Sequence, residues 1–146
     1  LLNPRFFDEL ANICRRENIS LLPYSPMAGG VLSGKYNSDF VEPDVRLSIY
    51  LKEKSKRVQA MAHRFVNSKT LEATAKYLKL AKEYEVSPVT LAISYSKHFD
   101  FVASTIIGAR KHEQLEESFR AFDFKIDDEL LKKIEAIQKE ILYPMG

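Results

Sequence analysis

The stretch Tyr24-Ser25-Pro26-Met27-Ala28-Gly29-Gly30-Val31-Leu32-Ser33-Gly34-Lys35-Tyr36 decides how this chain is read. A short apolar run, residues 19–24, leads into it, and three glycines and a lysine follow within a few positions. Glycine has no Cβ, so it takes positive φ cheaply and lets backbone N–H groups approach a ligand. A loop that leaves a strand end with bare amides and one cation suits a phosphate or another anion. Two other readings are open at this point. Gly29 to Lys35 matches G-x-x-x-x-G-K, the start of a P-loop, but that motif continues with Ser or Thr and opens a helix. Here Tyr36 follows, then Asn37, Ser38, Asp39 and Pro43, which is poor helix material. A solvated turn would also use Gly and Ser; the second half of the chain weighs against it.

Working outward, Asn3-Pro4 has the chemistry of a helix start, with Asn as N-cap and Pro at the first helical position. Phe6, Leu10, Ile13 and Cys14 recur at helical spacing, and Asn18 is the stop. Residues 19–24 show little alternation and read as a strand buried on both faces, as in a parallel sheet. After the glycine loop an irregular segment runs to about Tyr50 and contains Arg46; loops of that length are uncommon and often functional. The helical pattern returns near Ser68, with Leu71, Ala75, Leu78 and Ala81 as its stripe. Ser87-Pro88 restarts a helix with Leu91, Ala92 and Tyr95 facing inward. Residues 102–107 read as a second buried strand ending at Gly108. A helix then runs from near His112 to about Phe122, and a last one, capped near Asp127, carries Leu130, Ile134, Ile137 and Ile141. This alternation is that of an α/β fold. Two strands alone make no stable sheet, so the chain is expected to have partners for them or to be part of something larger.

With 146 residues, 45% of them hydrophobic, the chain is expected to form a single unit, residues 1–146, with a real core. A net charge of +2 gives no reason to expect a nucleic-acid or acidic-membrane partner, and residues 52–57 (KEKSKR) read as a solvated face. Cys14 is the one cysteine, so no internal disulfide forms, and no Cys/His cluster has metal-ligand spacing. A reducing, cytoplasmic setting and no metal are the expectation. No apolar run approaches the roughly 18 residues of a membrane span, and the N-terminus lacks a signal-peptide pattern. Leu1, in apolar residues and without a methionine, reads as a start in mid-protein.

The second informative stretch is Ser104-Thr105-Ile106-Ile107-Gly108-Ala109-Arg110-Lys111-His112-Glu113-Gln114-Leu115-Glu116-Glu117. It reads as strand, glycine, two cations and a helix opening, where free N–H groups and the positive dipole end favour an anion. Arg can grip a phosphate through two parallel hydrogen bonds. Two such loops, each after a buried strand, are expected to converge at one strand-end rim, as in a βα barrel, where the ligand sits at the strand C-termini.

Together these residues resemble the aldo-keto reductases. Tyr24-Ser25-Pro26 with Gly30, Gly34 and Lys35 is similar to that family's loop after barrel strand seven. Ile107-Gly108-Ala109 with Gln114, Leu115 and Glu117 is similar to its segment after strand eight. The likeness covers nearly the whole chain and is nearest to the bacterial Tas-like branch, with the potassium-channel beta subunits similar too. It implies the C-terminal part of a (β/α)8 TIM barrel, the last two strands with their helices, and NADP(H) as cofactor. By the same resemblance Tyr24 stacks on the nicotinamide, and Ser25, Pro26, Met27, Ala28 and Gly30 line the cofactor. Lys35 and Arg46 fall on its phosphate-bearing side, and Gly108, Arg110, Gln114 and Glu117 at the adenosine end. Arg110 stands where many relatives have a small hydroxyl and is assigned to the 2′-phosphate by its charge. Ser118 stands where the family often has Asn.

The family's catalytic Asp, Tyr, Lys and His belong to the first half of the barrel, so no catalytic residue is expected within residues 1–146. His63, His98 and His112 have no placed Tyr or Lys partner that would make one of them an acid. The whole barrel would reduce an aldehyde or ketone with NADPH, and this chain alone is expected to be inactive. The alternative is a non-catalytic nucleotide-binding or interaction module. An exposed half-barrel would then self-associate or pair with a separate N-terminal half.

Overall fold

The structure, a computed structural model, describes residues 1–38, 41 and 43–145. Asp39, counted above against a helix after Lys35, lies outside them. The chain opens with a 3₁₀ turn, Pro4–Phe7, and helix α1, Leu10–Glu17. Two 3₁₀ turns merge in Ala28–Ser33, followed by α2 (Arg46–Leu51), α3 (Lys56–Phe65), α4 (Ser68–Glu83), α5 (Pro88–Lys97), α6 (Glu113–Arg120) and α7 (Asp128–Glu140).

Local capping chemistry sets several boundaries. Ser87 Oγ accepts the Thr90 N–H at 3.0 Å with Pro88 opening α5, and Asp127 Oδ1 accepts the Leu130 N–H at 2.8 Å to open α7. Asn67 and Thr70 form a reciprocal capping box for α4. Asn18 takes left-handed φ of 57° and closes α1.

The main core gathers the inner faces of α4, α5 and α7 around the turn at Ala28–Ser33, whose Val31 and Leu32 are fully buried. Leu2, Leu47, Ala62, Ile126 and Ile141 complete it. Burial of this kind stabilises by roughly 25 cal/mol per Å² of apolar surface. Burial also pushes the Tyr95 phenol up to about 12 and raises Tyr77 further; Tyr95 shares a hydrogen bond with Gln138. A second cluster joins Ala11, Cys14 and Phe101, with Phe6 stacked on Phe101 at 5.4 Å and Phe7 edge-on to Phe99 at 4.6 Å.

Five expectations need correction. Asn3-Pro4 does open a helical turn, with Asn3 at the N-cap position and Pro4 first, but the turn is a short 3₁₀ one, Asn3 makes no side-chain cap, and the α-helix carrying Cys14 starts only at Leu10. Consecutive Phe6 and Phe7 both turn to the Phe99–Phe101 pair, which one α-helical face cannot present. Leu10 and Ile13 are consequently exposed, and Ala11 and Cys14 are buried. The stripe of α4 is rotated, with Thr70, Ala73, Thr74, Tyr77, Leu80 and Ala81 buried and Leu71, Ala75 and Leu78 half-buried. The segment up to Tyr50 is not irregular throughout, since Arg46 opens α2, and α3 precedes Ser68.

The two strands are the fourth correction. Residues 19–24 and 102–107 do not form continuous strands; they meet in two isolated parallel bridges, Leu21 with Val102 and Tyr24 with Ile106. The N–H of Leu21 donates to Phe101 O at 2.7 Å, Ala103 to Leu21 O at 3.0 Å, and Ile106 to Pro23 O at 2.8 Å. Pro23 has no N–H to give. The fifth concerns burial on both faces: Ile19, Leu22, Tyr24 and Ile106 are 56%, 55%, 80% and 51% exposed. Among the described residues each segment is bridged only to the other, which leaves its far edge and one face uncovered.

Gly34 sits at φ +84° with Leu78 Cδ1 2.8 Å from the place a Cβ would take. Gly34→Ala is expected to destabilise the fold by about 1–2 kcal/mol from the left-handed backbone alone, with Leu78 displaced as well. Chemical denaturation followed by circular dichroism measures it, and an unchanged midpoint would show that the turn can relax without cost.

Candidate functional site

Because the two bridges are parallel, both chain segments leave the pair at the same end. The Tyr24 turn follows one and the Gly108 turn follows the other, so the two cation-bearing turns stand side by side at that end. The convergence expected from the sequence is therefore present at the level of the backbone.

The Tyr24 turn is tightly wound. Ser25 and Ala28, neither of them glycine, hold φ of 57° and 49°, and Gly30 reaches 93°. Left-handed backbone costs an L-residue roughly 1–2 kcal/mol, so two strained residues persist only where surrounding contacts over-determine them. Here they do: Ala28 N–H donates to Ser25 O at 2.8 Å, Gly29 N–H to Ser25 Oγ at 3.1 Å, and Gly30 N–H to Met27 O at 2.9 Å. Leu32 and Gly34 N–H groups donate to Met27 O and Val31 O. This corrects the expectation of bare amides facing an anion. The glycines serve the winding of the turn, and these amides are already hydrogen-bonded within it.

Positive charge at this turn is carried by side chains. Lys35 folds back over Gly30, its Cε and Nζ each 2.7 Å from where a Gly30 Cβ would lie, and its ammonium stands 5.4 Å from the Tyr36 ring. Tyr36 is buried, and its hydroxyl oxygen accepts the N–H of Leu47 at 3.1 Å; burial raises its pKa. That contact ties the turn to the first turn of α2 and so places Arg46. The Arg46 guanidinium lies over Tyr50, 5.6 Å from the ring centre, with Nε 3.4 Å from the hydroxyl. Tyr36 is a residue the sequence reading used only to reject the P-loop. Its signal was a large aromatic directly after Gly-Lys, but the partner eleven residues on could not be read from spacing.

In the other turn, Gly108, Ala109, Arg110, Lys111 and His112 are all exposed. The amides ahead of α6 are not open to an anion either: Gln114 Oε1 accepts the N–H of Arg110 at 2.8 Å and of Lys111 at 3.3 Å. Glu117 is half-buried, its carbonyl accepting Thr90 Oγ1 at 3.2 Å, and Ser118 Oγ donates to Gln114 O at 2.8 Å. His112 Nδ1 lies 3.8 Å from Glu116 Oε1.

Two cavities adjoin the pair. One, of about 370 Å³, is lined by Tyr24, Ser25, Pro26 and Ala28 together with Phe6, Phe99 and other apolar residues. The other, about 220 Å³, lies between residues 102–107 and helices α5 and α6, and includes Lys97, Thr105 and Ser118. Neither is lined by Lys35, Arg46, Arg110, Gln114 or Glu117. The Tyr24 turn lines the first of these cavities, but neither cavity is shared with the Gly108 turn. Among the described residues no three of His, Cys, Asp and Glu come together to hold a metal ion, and no helix is long and apolar enough to cross a membrane.

The chain is similar to several known proteins. The model of the Aldo/keto reductase family matches residues 1–139. Protein tas of Escherichia coli is 28% identical over 144 residues, which is 99% of this chain and 39% of that protein. Aldo-keto reductase yakc [NADP(+)] of Schizosaccharomyces pombe is 32% identical over 123 residues, 83% of this chain and 33% of the relative. The solved glycerol dehydrogenase AKR11B4 of Gluconobacter oxydans superposes with a TM-score of 0.69 at 22% identity, over 95% of this chain and 40% of its own. The chain thus shares its fold with part of that structure, and spans about two fifths or less of the length of these relatives.

The Tyr24 ring is the most exposed of the large apolar side chains at this end. Tyr24→Ala is expected to leave folding stability within about 0.5 kcal/mol of the parent, as exposed substitutions generally do. A larger loss in denaturant unfolding would mean that the ring is held by packing and is not displayed.

Proposed function

We propose a function from one premise: the chain belongs to the aldo/keto reductase family. In this reading residues 1–146 are the last two strands and helices of a (β/α)8 barrel and carry the NADP(H)-binding loops of a carbonyl reductase. The observation that carries it is the parallel pair, which delivers two cation-bearing turns to one end. The relative from Schizosaccharomyces pombe is an NADP(+) aldo-keto reductase and the Gluconobacter oxydans protein of like fold a glycerol dehydrogenase, which supports the same class.

The residues fit such a cofactor through side chains. Tyr24 offers an exposed ring to the flat face of the nicotinamide, and Ser25, Pro26, Met27, Ala28 and Gly30 form the wall beside it. Lys35 and Arg46 meet the phosphate-bearing side; Gly108, Arg110, Gln114 and Glu117 meet the adenosine end, with Arg110 on the 2′-phosphate. NADPH supplies hydride to the carbonyl carbon of an aldehyde or ketone when bound in a whole barrel. The residues of this chain bind and orient, and none is assigned to proton transfer, so the chain alone turns over no substrate.

A second reading has its own observation. The uncovered edges and apolar row at Ile19, Leu22, Tyr24 and Ile106 are what a pairing surface looks like. Here the chain is an interaction module that assembles with a second copy or with a polypeptide holding the first part of a barrel. Sedimentation velocity tests this reading: concentration-dependent association is expected if the edges pair, and a well-folded dilute monomer counts against it.

For the cofactor reading the experiment is a fluorescence titration with NADPH and NADH. Wild type is expected to prefer NADPH, and Arg110→Ala to narrow that preference by about tenfold, the lower end for a charge-assisted contact at an exposed site. A preference left intact in the variant would remove Arg110 from the site.

A further inference from the structure

We infer that the corner between α3 and α4 is a separate anion site, which takes an organic phosphate: a small molecule with a phosphate group and a flat or apolar body. An open cleft of about 570 Å³ lies there, bounded by Ala60, His63, Arg64, Asn67 and Lys69 and by residues 143–145. None of the residues assigned to the cofactor lines it. Three of its side chains can carry positive charge, and no acidic side chain bounds it. Among the described residues none of the three, His63, Arg64 and Lys69, forms an ion pair, whereas Arg15, Lys76 and Lys133 are each matched to a carboxylate. The sequence around the cleft carries the same bias. From Lys52 to Lys69 the only acidic residue is Glu53, against Lys52, Lys54, Lys56, Arg57, Arg64 and Lys69, in a chain whose net charge is +2. Such a local excess draws anions, and α4 begins at the corner, so the positive end of its dipole adds to the field.

The corner is also held in place. Asn67 Nδ2 lies 3.3, 3.1 and 3.2 Å from the carbonyl oxygens of His63, Arg64 and Pro144, and Asn67 Oδ1 accepts the Thr70 N–H at 3.0 Å. The buried Thr70 hydroxyl donates to Phe65 O at 2.8 Å. One asparagine thus ties the end of α3, the start of α4 and residues 143–145 together, and steadies the backbone that carries Arg64 and Lys69. The Tyr143 ring is held by residues that do not bound the cleft: the Arg5 guanidinium lies 4.6 Å from its centre, and its hydroxyl donates to Asp8 Oδ2 at 3.4 Å. Tyr143, Pro144 and Met145 give the cleft an apolar wall beside its cations. A bare ion has no use for that wall, and the volume falls among small-molecule sites, about 300–1,000 Å³. A phosphate dianion suits the cations, since an arginine meets it through two parallel hydrogen bonds and a lysine as a point charge.

The test titrates wild-type protein with phenyl phosphate and with inorganic phosphate, followed residue by residue by amide NMR. Saturable shifts are expected at residues 63–69 and 143–145, with a dissociation constant for phenyl phosphate near about 1 mM, the strength that a few charge-assisted contacts give. Inorganic phosphate is expected to bind about threefold more weakly, for want of contact with the Tyr143 ring. Arg64→Gln and Lys69→Gln are each expected to weaken phenyl phosphate about threefold to tenfold. Lys79→Gln, at an exposed lysine further along α4, leaves its affinity unchanged. All three side chains are exposed, so the variants are expected to fold as wild type does, and the wild-type shift map tests the site without them. No saturable shift at residues 63–69, equal affinity for the two phosphates, wild-type affinity in either cleft variant, or an equal loss in Lys79→Gln each overturns the inference. None of these outcomes bears on the cofactor reading, whose test is the NADPH preference of Arg110→Ala.

Discussion

Three backbone hydrogen bonds hold residues 21–24 beside residues 101–106, and their parallel sense is the constraint on which the placing of the two turns depends. Residues 25–100 separate the two segments in sequence, and the helices between them supply much of the core. Had the segments paired antiparallel, the Tyr24 turn and the Gly108 turn would stand at opposite ends. Parallel pairing needs a long helical return, and α4 and α5 supply it, so the helical core and the placing of the two turns are one structural fact. The pairing is also thin. Pro23 gives no N–H, and among the described residues each segment has one bridging neighbour, so the order of the pair rests also on Leu21 and Val102 packing against the Phe99–Phe101 cluster.

The winding of the first turn sets what kind of recognition is available. A P-loop or a simple nest presents unpaired amides to an anion. Here Ser25 takes a left-handed conformation so that its Oγ can accept the Gly29 N–H, and the following amides close on Met27 and Val31. The positive charge at this end is carried on the side chains of Lys35, Arg46, Arg110 and Lys111. Side-chain cations at exposed positions are screened by salt, and their placement depends on the residues around them. Tyr36 places Arg46 by accepting the Leu47 N–H, and Gly30 makes room for the end of Lys35.

Much of this was legible where the chemistry is local. Ser87-Pro88, Asp127 and Asn18 act within three or four residues of themselves, and each ends or starts a helix where the sequence places it. The glycine turn and the two segments were legible as positions but not as geometry, because burial of residues 19–24 and 102–107 depends on neighbours outside the segments. Helix α2 was missed for a physical reason: Val45 and the side chains around it provide no cap, and the acceptor at its start is a tyrosine hydroxyl eleven residues upstream. Helix α3 carries an apolar stripe at Val58, Met61, Ala62 and Phe65, but only Ala62 is fully buried and the charged run at residues 52–57 leads straight into it, so the segment reads as a solvated face. The face of α4 was misread because Thr70 and Thr74, polar by type, point inward while Leu71 and Leu78 are half-buried.

The same distinction bears on the two readings of the function. Family membership rests on positions spread over residues 1–139, and it constrains the fold more than the use to which an exposed end is put. Tyr24, Leu22 and Ile106 are exposed together, and one apolar row serves either a flat ring or a pairing strand. What separates the alternatives is charge. A pairing edge alone has no need of cations on both of the turns that leave it, whereas a dinucleotide's phosphates do. Lys35, Arg46, Arg110 and Lys111 lie on those turns and the helix tied to them, while the row at Ile19 and Leu22 is uncharged. The cationic end therefore favours an anionic cofactor, and the uncharged row below it is the part of the surface that pairing would use; both can hold in one molecule because they occupy different levels of the same two segments.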